Sequence, residues 1–251
     1  ILGIIQGLTE WLPVSSSGHL AIAKEFLDWQ PSVAFYVLLH IGTVIVIVLF
    51  FRREIAGTLK ALIRRDFKSE DGRLGIFVVV GSLPTAAIGY LFQDVFESSF
   101  DNLSVVGAAL LVTGTLLFVS PKRDSSKALG FVDSLFVGVA QGVAIIPGVS
   151  RSGATISTAL LRGVDKEVAF KFSFLLSIPA VLGAAAAELG DLNFLIAGGD
   201  AGAVVLGVFA SVVVGYLSLK ALQRILAEQK FHLFAFYCWA VGFLAVFSQM
   251  L

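Results

Sequence analysis

The chain is short of charge. Only 14% of its 251 residues are Asp, Glu, Lys or Arg, against about 25% in an ordinary soluble domain. With 57% hydrophobic residues and a mean hydropathy of +0.91, that shortage excludes a soluble globular domain and indicates an integral membrane protein. An excess of one sign is also missing: 18 basic and 18 acidic residues cancel, so no global field argues for a nucleic-acid partner. A single cysteine, Cys238, excludes an internal disulfide and supplies no metal cluster. It reads as a small apolar filler within a helix. No secretory signal peptide is expected at the start, because the first apolar run has no basic stretch before it.

What is present is a repeat. Gly3/Gly138, Gln6/Gln141, Gly7/Gly142, Val14/Val149, Ser15/Ser150, Ser17/Ser152 and Gly18/Gly153 are each separated by 135 positions. The first copy reads GIIQGLTEWLPVSSSG and the second GVAQGVAIIPGVSRSG, with Pro13 and Pro147 one position out of step. The pairing continues weakly at Ala34/Ala169 and Phe35/Phe170. Two related halves, each with an interrupted apolar segment, are the sequence sign of a membrane protein whose site lies at the repeat interface.

Six apolar stretches reach the length of about 20 residues that a membrane span needs: 33–51, 74–93, 103–119, 170–188, 201–219 and 231–250. Two more, 1–28 and 131–162, are apolar but broken. Each half of a broken segment makes about 17 Å of helix, half the thickness of a bilayer core. Each therefore reads as a re-entrant helix–loop–helix, which is tolerated at depth only where protein or a wet cavity surrounds it.

Basic residues set the orientation. Arg52, Arg53, Lys60, Arg64, Arg65, Lys68 and Arg73 follow the first span, and Lys122, Arg123 and Lys127 occupy the next loop on that side. Arg162, Lys166 and Lys171, then Lys220, Arg224 and Lys230, complete a face that reads as cytoplasmic. The basic loop 52–73 marks that face and would touch anionic headgroups. The opposite loops, 94–102 and 189–200, hold Asp94, Glu97, Asp101, Asp191 and Asp200, and Lys24 is the one base on their side. Each half has three spans, an odd number, so the second half begins on the opposite side. The expected fold is all-α, with two inverted-topology repeats, each one re-entrant helix–loop–helix plus three transmembrane helices. Residues 1–251 form one membrane domain, with repeat one at about 1–119, a cytoplasmic linker at about 120–130 and repeat two at about 131–251. The two tips should meet near the midplane, with Ser15–Ser17 beside Ser150–Ser152.

The tips differ in chemistry. Gln6 and Glu10, four apart, share a helix face. A carboxylate at that depth is expensive; Glu10 either pairs with Arg151 for packing alone, lies exposed at a loop mouth, or serves as a metal ligand or general base. Ser15, Ser16 and Ser17 can cap the returning half-helix, and such a terminus also receives anions. A serine beside a base can be a nucleophile, and His19 stands one turn after Ser16 on the same face. In the second tip Ser150, Ser152 and Gly153 surround Arg151, whose fork of donors suits phosphate oxygens. Thr155 is four residues after Arg151, on its face. His40, mid-span beside Gly42 and Thr43, reads as part of an interhelical hydrogen bond, Trp29 and Trp239 as interface anchors, and Trp11 as core packing.

Gln6-Gly7-Leu8-Thr9-Glu10 followed by Leu12-Pro13-Val14-Ser15-Ser16-Ser17-Gly18-His19 resembles the first signature of the undecaprenyl-diphosphate phosphatases, or bacitracin-resistance proteins. Pro147 to Thr155, PGVSRSGAT, resembles the second, and Ser177-Ile178-Pro179-Ala180 extends the likeness. The resemblance implies a hydrolase of the bacterial inner membrane, with its site opening to the outer side. It would turn undecaprenyl diphosphate into the monophosphate carrier used in peptidoglycan and cell-wall synthesis, which confers bacitracin resistance. It implies as partners a polyprenyl diphosphate and the bilayer, leaves a homodimer open, and implies a divalent metal, Mg2+ or Ca2+, with Glu10 among its ligands. The family's first acidic position is here Gln6, so Glu10 alone supplies charge and a two-carboxylate site is not expected. On this reading Arg151 and the second tip hold the phosphates, with Gln6, Ser15, Ser17, Ser150, Ser152, Gly153 and Thr155 lining the site. Ser16 attacks phosphorus or orients a water, and His19 carries the proton. A secondary transporter or lipid flippase is the alternative, since broken helices in inverted repeats are common there. A non-catalytic scaffold would explain neither Arg151 nor the breaks.

Overall fold

The computed structural model describes residues 1–27, 33–100, 102–121, 125–187 and 201–249. Trp29, Asp101, Lys122, Arg123, Asp191 and Asp200, read above as an anchor and as loop charges, lie outside the described residues. An apolar chain surrounded by lipid must satisfy its backbone groups internally, which leaves helices or a closed barrel. Long apolar runs without two-residue alternation select helices. In order they are α1 (Leu2–Trp11), α2 (Ser16–Leu27), α3 (Val33–Phe50), α4 (Arg52–Ile63), α5 (Glu70–Leu91) and α6 (Gln93–Ser99). Then follow α7 (Leu103–Val119), α8 (Phe131–Val143), α9 (Arg151–Leu161), α10 (Lys166–Ala187), α11 (Ala201–Ala227) and, after a 3-10 turn at Phe231–Leu233, α12 (Phe234–Phe247). Among the described residues no strand forms; one isolated pairing joins Lys127 to Val164.

All six expected spans are apolar helices. Three have the length and composition to cross a membrane, at Glu70–Leu91, Lys166–Ala184 and Gly202–Ala227; Leu38–Phe50, Leu103–Val119 and Phe231–Phe247 are shorter. Large apolar side chains point outward, with Leu206 69% and Phe209 66% exposed. In water such a surface would be an aggregation liability; in a bilayer it is the solvent-matched face. Two stretches read as loops are helical instead. In the basic segment, α4 packs on α5, where Thr58 and Leu62 fill the space beside Gly75; α6 occupies the start of the 94–102 loop. Ser69 caps α5, accepting from Gly72 N at 3.2 Å, with Glu70 and Asp71 in its first turn.

Lipid gives helices little hydrophobic reason to associate, so close backbone approach and dispersion must hold them together. α1 packs on α11, α8 on α5, and α7 on α12. A Cβ on Gly3 would strike the carbonyl of Gly207, and one on Gly138 the carbonyl of Gly81. Gly107 and Gly242 face each other, each leaving room for the other's carbonyl. An aromatic cluster of Trp11, Phe51, Phe170 and Phe174 anchors the end of α1 to α10. Trp11 meets Phe174 edge-on at 5.5 Å, and Phe170 meets Phe174 at 4.8 Å. Trp11 is thus a core residue, as expected. The segment before α8 is held by Asp133, which takes Lys127 Nζ at 2.8 Å and Arg162 Nε at 2.6 Å.

Candidate active site

α1 ends at Trp11 because Leu12 turns to extended backbone ahead of Pro13. The chain then reverses through Ser15, whose φ is +68°. A non-glycine residue there costs about 1–2 kcal/mol, so the surroundings must hold it. Ser15 Oγ accepts from Gly18 N at 3.3 Å, capping α2, and from Gly148 N at 3.2 Å in the second tip. The second tip repeats the cap. Ser150 Oγ accepts from Gly153 N at 3.1 Å and opens α9. Gly148 (φ +97°) supplies the turn before it, and its carbonyl accepts from Thr113 Oγ1 at 3.0 Å. Ser17 Oγ lies 3.2 Å from Ser15 Oγ, and Ser152 Oγ 3.3 Å from Ser150 Oγ. Ser152 Oγ also donates across to the Leu12 carbonyl at 3.4 Å. The tips are in contact, as the repeat predicted.

Between them lies one carboxylate. The Glu10 side chain is 1% exposed, and Arg151 Nη2 donates to its Oε1. Oε2 accepts from Gln6 Nε2 at 2.9 Å and from Ser16 Oγ at 2.6 Å. Among the described residues Glu10 is the one acceptor Arg151 meets. The other guanidinium N–H groups meet no acceptor among the described residues. Thr155 is fully buried; its hydroxyl donates to the Arg151 carbonyl at 2.7 Å and is bonded to Ser173. It braces the helix that carries Arg151 and does not face an open site. A recess beside the pair is lined by Glu10, Trp11, Arg151, Ser152, Ser173 and Ser177.

Two histidines sit otherwise than the sequence suggested. His19 Nδ1 faces the Ser15 carbonyl at 2.8 Å and Nε2 the Tyr237 hydroxyl at 2.7 Å. A carbonyl only accepts, so Nδ1 carries the hydrogen and Nε2 accepts from Tyr237. Ser16 turns its hydroxyl to Glu10 and not to His19, because the reversal at Ser15 directs the start of α2 back towards α1. His40 makes no interhelical bond through Nδ1, which donates to the Tyr36 carbonyl of its own helix at 2.8 Å. Its Nε2 stands 3.7 Å from Glu10 Oε2. Trp239 donates to Thr115 Oγ1 at 3.3 Å, joining α12 to α7.

Sequence reasoning gave no role to Ser173 or Tyr237, named Ser177 only for its likeness, and did not place His40 beside Glu10. Ser173 and Ser177, one turn apart in an apolar helix, were a visible polar stripe. An ionisable residue within a span, such as His40, is by default a functional candidate. Tyr237 gave no signal, being one aromatic among many.

Residues 1–244 match the family described as bacitracin resistance protein BacA. An undecaprenyl-diphosphatase of Desulforapulum autotrophicum is 40% identical, over 99% of this chain and 96% of the relative. One from Carboxydothermus hydrogenoformans is 42% identical over 96% and 93%, and one from Methanobrevibacter smithii 40% over 100% and 96%. A match over nearly the whole chain, with both signature tips converging on one buried ion pair, establishes that this chain belongs to the BacA family.

Proposed function

We propose that the chain is a membrane phosphatase that hydrolyses undecaprenyl diphosphate to undecaprenyl phosphate and inorganic phosphate. The observation that carries the reading is the meeting of Arg151 from one tip with Glu10 from the other, with Ser16 bonded to the same carboxylate. Arg151 and the first amides of α9 present donors and a helix terminus to the phosphates. Ser16 Oγ attacks the terminal phosphorus, its proton passes to Glu10 Oε2, and the bond to the bridging oxygen breaks to release the lipid monophosphate. Positioning and charge stabilisation dominate, as in other phosphoryl transfers. Glu10 takes the part given to His19 by sequence, and His19, held between Ser15 and Tyr237, shapes the tip.

A divalent cation fits this donor set. Gln6 Oε1 is a buried acceptor without a partner, beside the single carboxylate. Oxygen donors of this kind suit Mg2+ or Ca2+ when substrate phosphates complete the shell. Among the described residues no group of three His, Cys, Asp or Glu could hold a metal alone. Gln6 and Glu10 would hold the ion, and it would neutralise phosphate charge. Ser17, Ser152 and Gly153 would line the phosphate site, with Ser15 and Ser150 as its fixed caps.

The reading includes two inverted halves, each with a re-entrant hairpin, in a plasma membrane with the site open to the outer side. Its supports are the basic residues gathered on one face and a swap in packing. The first hairpin's α1 lies on α11 of the second half, and the second hairpin's α8 lies on α5 of the first. The test is phosphate release from a polyprenyl diphosphate by purified protein in detergent, with and without Mg2+ or Ca2+. Release that Arg151→Ala abolishes is expected. Folded protein that binds the lipid and releases no phosphate would leave a lipid transporter as the reading.

A further inference from the structure

The covalent route raises a question that the two tips do not answer: what holds the water that removes phosphate from Ser16. Glu10 Oε2 already serves Ser16 and Gln6, and its side chain is 1% exposed. Among the described residues, the remaining polar group that faces this oxygen is His40 Nε2, from α3, at 3.7 Å. That distance is too long for a direct hydrogen bond. The ring is not free to turn its other nitrogen inward. Nδ1 is tied to the Tyr36 carbonyl at 2.8 Å, so it carries the hydrogen and leaves Nε2 as an acceptor. One water bridges two groups at this spacing: in the phosphoseryl state Glu10 Oε2 carries the Ser16 proton and donates to the water oxygen, while the water donates one hydrogen to His40 Nε2. The His40 side chain is 32% accessible, against 1% for Glu10.

We propose that His40 Nε2 and Glu10 Oε2 together bind the hydrolytic water, which makes His40 the water-positioning residue of this phosphatase. The inference rests on the phosphatase reading and on a phosphoseryl intermediate at Ser16. In the second half of the cycle the water oxygen forms a bond to phosphorus and the P–Oγ bond of Ser16 breaks. Ser16 Oγ takes back the proton that Glu10 received, and the hydrogens of the water leave on the phosphate. Holding the water costs His40 no change of charge; its contribution is orientation.

The experiment follows one turnover of lipid diphosphate by His40→Ala and His40→Gln, measuring lipid monophosphate and inorganic phosphate separately. For His40→Ala the expected result is a rapid burst of about one equivalent of lipid monophosphate per protein. Phosphate release should lag, slowed on the order of 100-fold, with label retained on Ser16. Lipid binding should stay within about twofold of wild type. His40→Gln, whose amide oxygen still accepts from water, should recover part of the release rate. If His40→Ala forms both products together at one reduced rate, or at the wild-type rate, the water site is wrong. Should His40→Ala fail to fold, His40→Gln decides alone: a partial burst supports the site and coincident product formation overturns it. Wild-type protein that releases neither product would instead overturn the phosphatase reading.

Discussion

The two tips are built alike and equipped differently. Ser15 and Ser150 cap α2 and α9 in the same way, and Ser17 and Ser152 stand beside them at 3.2 and 3.3 Å. The residues that set the two tips apart chemically have no counterpart. At the separation of 135, Ser16 pairs with Arg151, Glu10 with Ile145 and His19 with Ala154. What is duplicated is the means of ending one half-helix and beginning another inside an apolar surround. What is unique is charge, and the negative and positive members come from different tips. A single tip would hold an uncompensated ion in a low-dielectric setting; the two together hold a pair.

The largest effect should come from breaking that pair. Arg151→Ala should lower turnover on the order of 1000-fold and, by leaving Glu10 buried alone, destabilise the fold by about 3–5 kcal/mol. Thermal unfolding in detergent and phosphate release report the two losses separately. The double variant Glu10→Gln with Arg151→Met removes both charges, so most of the stability should return while activity stays lost. A double variant as unstable as Arg151→Ala would mean that the pair contributes more than compensation. Next, Ser16→Ala should cost at least about 100-fold in turnover. Ser17→Ala and Ser152→Ala, the duplicated hydroxyls, should each cost less than about tenfold, the value of one neutral hydrogen bond. Equal losses at all three would erase the distinction between equipment and frame.

The smallest effects sharpen the comparison of the caps. Ser150→Ala should cost about 1 kcal/mol of stability. Ser15→Ala should cost about 2 kcal/mol, because the Gly148 amide loses its acceptor as well. Ser15→Gly loses the same bonds but relieves the left-handed backbone, so it should unfold at a higher temperature than Ser15→Ala.

Much of this was legible before any coordinates. Composition required helices in a membrane, the apolar runs located six apolar helices, three of them long enough to cross a bilayer, and the 135-residue offset paired the tips. The helix at 52–63 within the basic loop 52–73 was hidden because basic residues dominate its composition, while the contact with Gly75 that supports it lies in another segment. The partner of His40 was hidden for a related reason. Its neighbours in sequence suggest helix packing, and its neighbour in space is Glu10, from a helix 30 positions earlier.

Sequence by itself determined the medium, the helices, the two broken segments and the set of polar residues that had to be sheltered there. Those follow from hydropathy, from the need to satisfy backbone groups without water, and from residue chemistry. Only the tertiary structure decided the partners. Ser16 bonds Glu10 and His19 bonds Tyr237, although Ser16 and His19 are one turn apart on the same helix. Adjacency along a helix fixes which residues can share a face. Which group that face meets depends on how the chain reverses at Ser15 and on which helices pack against it, and those are long-range contacts.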